Sequence, residues 1–409
     1  ENIQEMSFDL FAYRKLQDTA ADCEDRCDQI EREMRDPKAA ERFALKQSQA
    51  FVDQMEGFAL ELEDELMNFS DVSYKSFVKS ESEIITLFYD KFADIPLLSR
   101  MDAVAETFID EIETLLNRDL PEEERIPLIE KFRKMYETMD FYVLYNRFLK
   151  KEGYQTLPRR PLEKRKLRYE DVYPVLYLKY RLSRQAERSN IKHLVIDEMQ
   201  DYSRLQYLII RRMFSCKMTI LGDRAQTMAD QQQDVLQFLP GIFGKDLRRI
   251  EMRKSYRNTV EIASYAANLI GVTDLELFER HGMPVLERDV TDLEAALREA
   301  VDTLFPEEKT YETAAVIVPD EKTAERAYLI LREILAEKDF DCEKRLSWLN
   351  RDSSSFKKGL TVTTFYLAKG LEFDQVFSIF PKDEKREMMM QAQYIAATRA
   401  LHELRVYHI

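Results

Sequence analysis

The chain has 409 residues, 45% of them hydrophobic, a length and balance suited to two or three core-forming domains. Its formal charge of -15 excludes a protein that coats nucleic acid by bulk electrostatics, so any contact with a polynucleotide has to be local. No apolar run is long enough to cross a bilayer and no secretory pattern opens the chain, which reads as cytoplasmic with no membrane partner.

From Glu1 to Arg168 apolar residues recur at helical spacing, as in Phe51, Met55, Phe58, Leu62 and Met67, and predict several helices with solvated charged faces. Cys23 and Cys27 have the spacing of one helical face and, with no further ligand nearby, read as packing residues. The basic, proline-containing stretch Leu157 to Asp171 reads as a connector. Nothing in the composition demands more than a monomer.

Beyond it, strands alternate with helices. "HLVI", His193 to Ile196, suits a buried strand, and a helical "SRLQYLIIRRMF" and a strand "KMTIL" follow. Later come "AAVIVP", "LTVTTF", "QVFSIF" and "LRVYH", with helical stretches such as Glu321 to Lys338 between them. This alternation predicts an α/β fold with parallel sheets, in which ligands bind at the carboxyl ends of strands.

The unusual polar residues fall at those ends. Asp197 and Glu198 follow "HLVI": one carboxylate can hold a divalent ion and its neighbour can activate a water. After "KMTIL", Gly222 allows a tight exit while Asp223 and Gln226 reach the same rim. In "RKSYRNTVEIA", Tyr256 offers a ring and Arg257 a cation at the start of a helical run, a pairing that suits a base and a phosphate. "TVTTFYLAKGLEFDQV" places Lys369, Gly370 and Glu372 after a strand, and "QYIAATRALHEL" places Thr398 and Arg399 in an amphipathic helical stretch.

In their order, "VIDEMQD", "ILGDRAQ", "SYRN", "TTFYLAKGLEFDQV" and "YIAATRALHEL" resemble the ATPase and helicase motifs of superfamily 1, the UvrD/Rep-like group. Tyr366, "YLAKGLEFD" and "ATRALHEL" look like its HelD, or helicase IV-like, branch, whose members can act on RNA polymerase. The resemblance spans residues 169 to 409. It implies RecA-like parallel-sheet domains of the P-loop NTPase helicase fold, incomplete here and preceded by a helical region. Residues 1–168 would be a helical insertion or arm, 169–255 the remainder of the first RecA-like domain and 256–409 the second.

The resemblance also implies roles. Asp197 would hold Mg2+ and Glu198 would be the general base for water in ATP hydrolysis. Gln226 would sense the terminal phosphate, and Arg257 and Arg399 would neutralise its charge. Tyr256 would stack on adenine, Gly370 and Glu372 would line the nucleotide, with Glu372 on the sugar, and Thr363 and Thr364 would lie near a nucleic-acid backbone. Single-stranded DNA and RNA polymerase are the implied partners.

Three departures qualify this. No G-x-x-x-x-G-K-[ST] phosphate loop occurs, so the chain is expected to be the carboxyl-terminal part of a longer ATP-dependent helicase or translocase and to be inactive alone. After "GDRAQ", the sequence "TMADQQQDVLQF" has Met228 and glutamines where UvrD-like enzymes place base-stacking aromatics. The interval from Arg257 to Lys369 is too short for the large accessory insertion of UvrD-like enzymes. Two alternatives stay open: a non-catalytic helicase-like binding protein, and a UvrD-like DNA repair helicase.

Overall fold

A computed structural model describes all residues except 1, 2, 4, 185–190, 224, 225, 227–234, 253, 273–275, 309, 339, 352, 354–357 and 383–385, together with the side chain at 246. The chain is a mixed α/β protein whose main sheet is parallel, the class expected. It forms two compact units. The first comprises Glu1–Asp197, Tyr202–Leu221 and Val235–Lys245, the second Glu198–Asp201, Gly222–Asp234 and Asp246–Ile409.

The first unit is built mainly from helices. Along Gln49–Glu65 the buried side chains are Phe51, Val52, Met55, Phe58, Ala59 and Leu62, the stripe that the spacing demands. Met67 falls beyond that helix, in an isolated bridge to Tyr136. Cys23 and Cys27 do not share a helix: Cys23 lies in the two-residue strand Asp22–Cys23, and Asp25 caps the helix Arg26–Arg35 that carries Cys27. All four cysteines are free thiols.

The stretch expected as a connector is partly core. Lys166–Leu167 pairs in parallel with Asp22–Cys23, and the helix Tyr169–Leu182 begins at once, nearly every residue buried. Its Asp171, 1% exposed, accepts from Lys46 Nζ at 2.6 Å and Tyr145 Oη at 2.7 Å. Buried carboxylates persist where such donors satisfy them, and charge counting along a sequence does not reveal donors that arrive from distant helices.

In the same unit, β1 (His193–Ile196) pairs in parallel with β2 (Lys217–Ile220). The expectation of a buried strand fails here: β1 alternates, and Val195 is 59% exposed. The helix α1 (Arg204–Met213) follows β1, with Ser203 and Gln206 closing a capping box at its start.

The second unit holds a six-stranded parallel sheet. Its strands are β3 (Leu286–Asp289), β4 (Thr313–Val318), β5 (Leu346–Trp348), β6 (Gly359–Thr364), β7 (Phe373–Phe380) and β8 (Ala400–His408), in the order β5-β6-β4-β7-β8-β3. Among the described residues, four helices of ten or more residues accompany them: α2 (Val260–Leu269), α3 (Leu293–Asp302), α4 (Glu321–Ala336) and α5 (Glu387–Thr398). The interior strands β4 and β6 are buried along almost their whole length, which explains the continuous apolar run of β4. Val316, Val362, Phe377 and Ile379 pack with Leu297 of α3 and Leu331 of α4 in one core. Each such side chain stabilises by about 1.5–3 kcal/mol when fully buried. Among the described residues, no helix is long and apolar enough to cross a membrane.

Candidate functional site

All the side chains considered next, apart from Asp197, belong to the second unit. Asp197 directly follows β1 and is exposed. Glu198 follows with φ 53°, a left-handed conformation that costs a non-glycine residue about 1–2 kcal/mol. Its carboxylate accepts from Gln200 Nε2 at 2.6 Å and lies 3.3 Å from Lys369 Nζ. Lys369 is buried. Its ammonium donates to both carboxylate oxygens of Asp201, at 2.8 and 2.7 Å, and to the backbone oxygen of Gln226 at 2.9 Å.

Gly222 is required by close approach. A Cβ there would sit 2.4 Å from Gln200 Oε1 and 2.6 Å from the backbone nitrogen of Met199. Gln200 Oε1 in turn accepts from the backbone of Asp223 at 3.1 Å, joining the two turns.

Gln226 is buried and both ends of its amide are engaged. Nε2 donates to Asp223 Oδ2 at 2.9 Å, and Oε1 accepts from Arg399 Nη2 at 3.2 Å. Tyr394 of α5 donates to the same Asp223 oxygen at 3.3 Å, and burial pushes its phenol well up. Met228 and the glutamines at 231–233 lie outside the described residues.

Arg399 does not lie within a helix, as expected, but caps the end of α5, directly before β8. It does not snorkel: it is 2% exposed, with Nη1 donating to Leu371 O at 3.3 Å. Its Nε has no hydrogen-bond partner among the described residues. Burial, and then the charge of Arg257, hold its pKa below the usual arginine value. Arg257 lies in the turn before α2 and pairs through Nε with Glu372 Oε1 at 2.5 Å, both being about half-exposed. Tyr256, 60% exposed, stands beside Phe278 with ring centroids 5.5 Å apart.

The turn from β6 to β7 carries Gly370 at φ 83°, which suits glycine. Thr363 and Thr364 end β6 and are fully buried. Thr363 Oγ1 donates to Leu349 O at 3.2 Å, and Thr364 Oγ1 has no partner among the described residues.

Within one unit, Lys369 and Gln226 thus link Glu198 to Arg399, Arg257 pairs with Glu372, and the charge of Arg257 acts on Arg399. The arrangement concentrates guanidinium and amide donors, with one buried nitrogen that has no partner among the described residues, in the manner of a site for a polyanion such as a nucleotide's phosphates. Lys369, Asp223, Asn258 and Tyr394 also hold this site. All four sit inside the quoted motifs, Tyr394 as the first residue of "YIAATRALHEL", where nothing in the residue type marks it for the site.

The UvrD/REP helicase N-terminal domain family matches residues 2–228, more than half of the sequence. The chain belongs to the UvrD/Rep helicase family. The match takes in the helical region as well as the first α/β motifs, and stops before "SYRN".

Solved structures similar to this UvrD/Rep family chain include the C-terminal domain of a possible DNA helicase from Lactobacillus plantarum. That domain is 23% identical, with a TM-score of 0.30, covering 38% of this chain and 88% of that one. The PRRSV helicase is 15% identical at a TM-score of 0.30, covering 65% of this chain and 45% of its own. An arterivirus nonstructural protein 10 helicase in complex with DNA is 14% identical at a TM-score of 0.29, covering 66% and 51%. The chain therefore spans about half the length of these viral helicases. A comparison with curated proteins finds no match.

Proposed function

We propose that this chain is the carboxyl-terminal part of an ATP-dependent superfamily 1 helicase or translocase of the HelD-like type, which remodels nucleic acid or RNA polymerase complexes. The observation that carries the reading is Arg399: a buried guanidinium, bonded to the amide of Gln226, with one nitrogen that has no partner among the described residues. Burying a cation is costly, and an anion that completes its hydrogen bonds offsets that cost. A terminal phosphate is such an anion.

Asp197, exposed directly after β1, would hold Mg2+, which keeps most of its ligands as water and phosphate and needs only one or two carboxylates. The ion would neutralise charge between phosphate oxygens. Glu198 would take the proton of the attacking water. Gln226 would donate to the terminal phosphate after exchanging its bond to Asp223. Arg257 and Arg399 would stabilise the charge that builds on the transferring group, while Tyr256 carries the adenine ring and Glu372 the sugar. Residues 1–168 would form the arm that reaches a partner, and 169–255 and 256–409 the two RecA-like parts.

The test is ATP turnover by the protein expressed from its native start codon, with single-stranded DNA or RNA polymerase core as stimulant. Stimulation by polymerase and not by DNA supports the HelD-like reading. Stimulation by DNA alone, with unwinding of a tailed duplex, would replace it by a DNA repair helicase. No Mg-ATP turnover under either condition, or turnover that survives Glu198→Gln, would overturn the catalytic assignment.

A further inference from the structure

Two guanidiniums of this site feel each other's charge: Arg257, itself paired with Glu372, acts on the buried Arg399. Arg257 and Arg399 are carried on separate turns, one before α2 and the other between α5 and β8. Their mutual repulsion favours any backbone movement that separates them.

The two turns are tied together at four points. Asn258, the residue after Arg257, is 7% exposed, and its Nδ2 lies 3.1 Å from Thr398 O and 2.6 Å from Ala400 O. These are the carbonyls on either side of Arg399. Carbonyl oxygens only accept, so one amide group spends both its protons there. The other tie runs from Arg280, whose Nη2 donates to Arg257 O and, at 2.7 Å, to Leu401 O. Arg280 is itself anchored, because its carbonyl accepts from the backbone of Val260, the first residue of α2, at 2.9 Å.

We infer that Asn258 and Arg280 are positioning residues that brace the turn of Arg257 to the turn of Arg399, so that the two guanidiniums meet an anionic substrate as a pair. Neither residue touches that substrate. Their value to a reaction rests on the phosphate-transfer reading above, whereas the brace itself stands on the backbone geometry. A bonded asparagine is an economical brace: it has no charge, so it adds nothing to the repulsion it opposes. Arg280 spends one nitrogen on two carbonyls, Arg257 O in its turn and Leu401 O at the start of β8, which a lysine cannot reproduce with the same planar geometry.

Two measurements test this. The first is hydrogen exchange by mass spectrometry over residues 395–404 in the full chain, comparing the wild type with Asn258→Asp, which keeps the shape and cannot donate. Exchange should rise roughly tenfold there and stay unchanged in β4. The second is ATP turnover by the full-length protein. Asn258→Ala should lower kcat roughly tenfold to a hundredfold with KM for ATP within about twofold, and should cost nothing further when added to Arg399→Ala. If the Asn258 variants do not fold, Arg280→Lys should give the same pattern more weakly. Unchanged exchange, or an equal loss of kcat in both backgrounds, would overturn the brace. Turnover that ignores Arg399→Ala would instead sink the hydrolysis reading, and exchange alone would then decide the brace.

Discussion

Arg399 Nη2 donates to Gln226 Oε1 at 3.2 Å while Gln226 Nε2 donates to Asp223 Oδ2 at 2.9 Å, so one carboxamide joins a buried cation to a carboxylate. Under the proposed chemistry, a substrate phosphate draws both donors away from these resting bonds. Arg399→Lys keeps the charge and loses the planar fork, and should lower kcat by about 10³ or more, the scale on which transition-state arginines act. Gln226→Ala should cost roughly tenfold to a hundredfold, since an amide contact is weaker than a charged one. Steady-state kinetics at saturating ATP measure both; a lysine variant retaining half of wild-type turnover removes Arg399 from the transition state.

Lys369 ties Asp201, Glu198 and the backbone of Gln226 together through one ammonium. Lys369→Met keeps the length of the side chain and removes the cation. Because Lys369 is 6% and Asp201 22% exposed at the side chain, the loss should be about 1–3 kcal/mol, below the cost of a fully buried pair. Urea unfolding of the chain gives the number. An unchanged midpoint would mean that the ion pair contributes nothing to holding Glu198 to Asp201.

The strands of the second unit were legible because both faces of the sheet are covered, which writes uninterrupted apolar runs such as "TAAVIV" into β4. The positions of Glu198, Gln226, Arg257, Glu372 and Arg399 were legible as motifs, since each lies at or near an element boundary. Their mutual bonds were not: the Arg399 to Gln226 contact spans 173 residues and the Lys369 to Asp201 contact 168, and no local pattern encodes a pairing at that range. Arg280 gave no signal at all, because its role depends on which carbonyls converge on it. The buried Asp171 and the exposed Val195 were misread for a related reason, because burial is set by neighbouring elements and not by the residue's own segment.

Glu261 offers a pH test within the same unit. His281 Nδ1 lies 2.9 Å from Glu261 Oε1, and Gly282 N donates to Oε2 at 2.8 Å. The bond to His281 holds the Glu261 carboxyl down at about 2, against an ordinary value of 4.5, in spite of partial burial. A depressed carboxylate contributes stability that is complete above about pH 4.5 and lost as the pH falls towards 2, where the folded form also takes up its proton. Glu261→Gln cannot titrate. The unfolding midpoint of the wild type should therefore fall more steeply between pH 5 and pH 3 than that of the variant, by about one group's share of the proton linkage. Parallel curves would mean that Glu261 carries no depressed pKa.

Under the proposed function, substitution of Tyr256 should separate binding from chemistry. Its ring is 60% exposed, with Phe278 at 5.5 Å between centroids and Lys254 Nζ at 5.5 Å from its own centroid, so two partners steady it while more than half of the residue's surface stays accessible. Stacking on such a ring contributes about 0.5–1.5 kcal/mol, which corresponds to roughly twofold to tenfold in affinity. That interaction is the same in the ground state and the transition state, because adenine takes no part in breaking the phosphate bond. Tyr256→Ala should therefore raise KM for ATP by roughly that factor and leave kcat nearly unchanged, whereas Tyr256→Phe, which keeps the ring, should resemble the wild type in both. The same contact should be base-tolerant, with GTP affected by Tyr256→Ala to a similar degree, since stacking reads a π-face and not its edge. A fall in kcat at constant KM would place Tyr256 among the groups that support the reacting phosphate and would leave the adenine without its proposed platform.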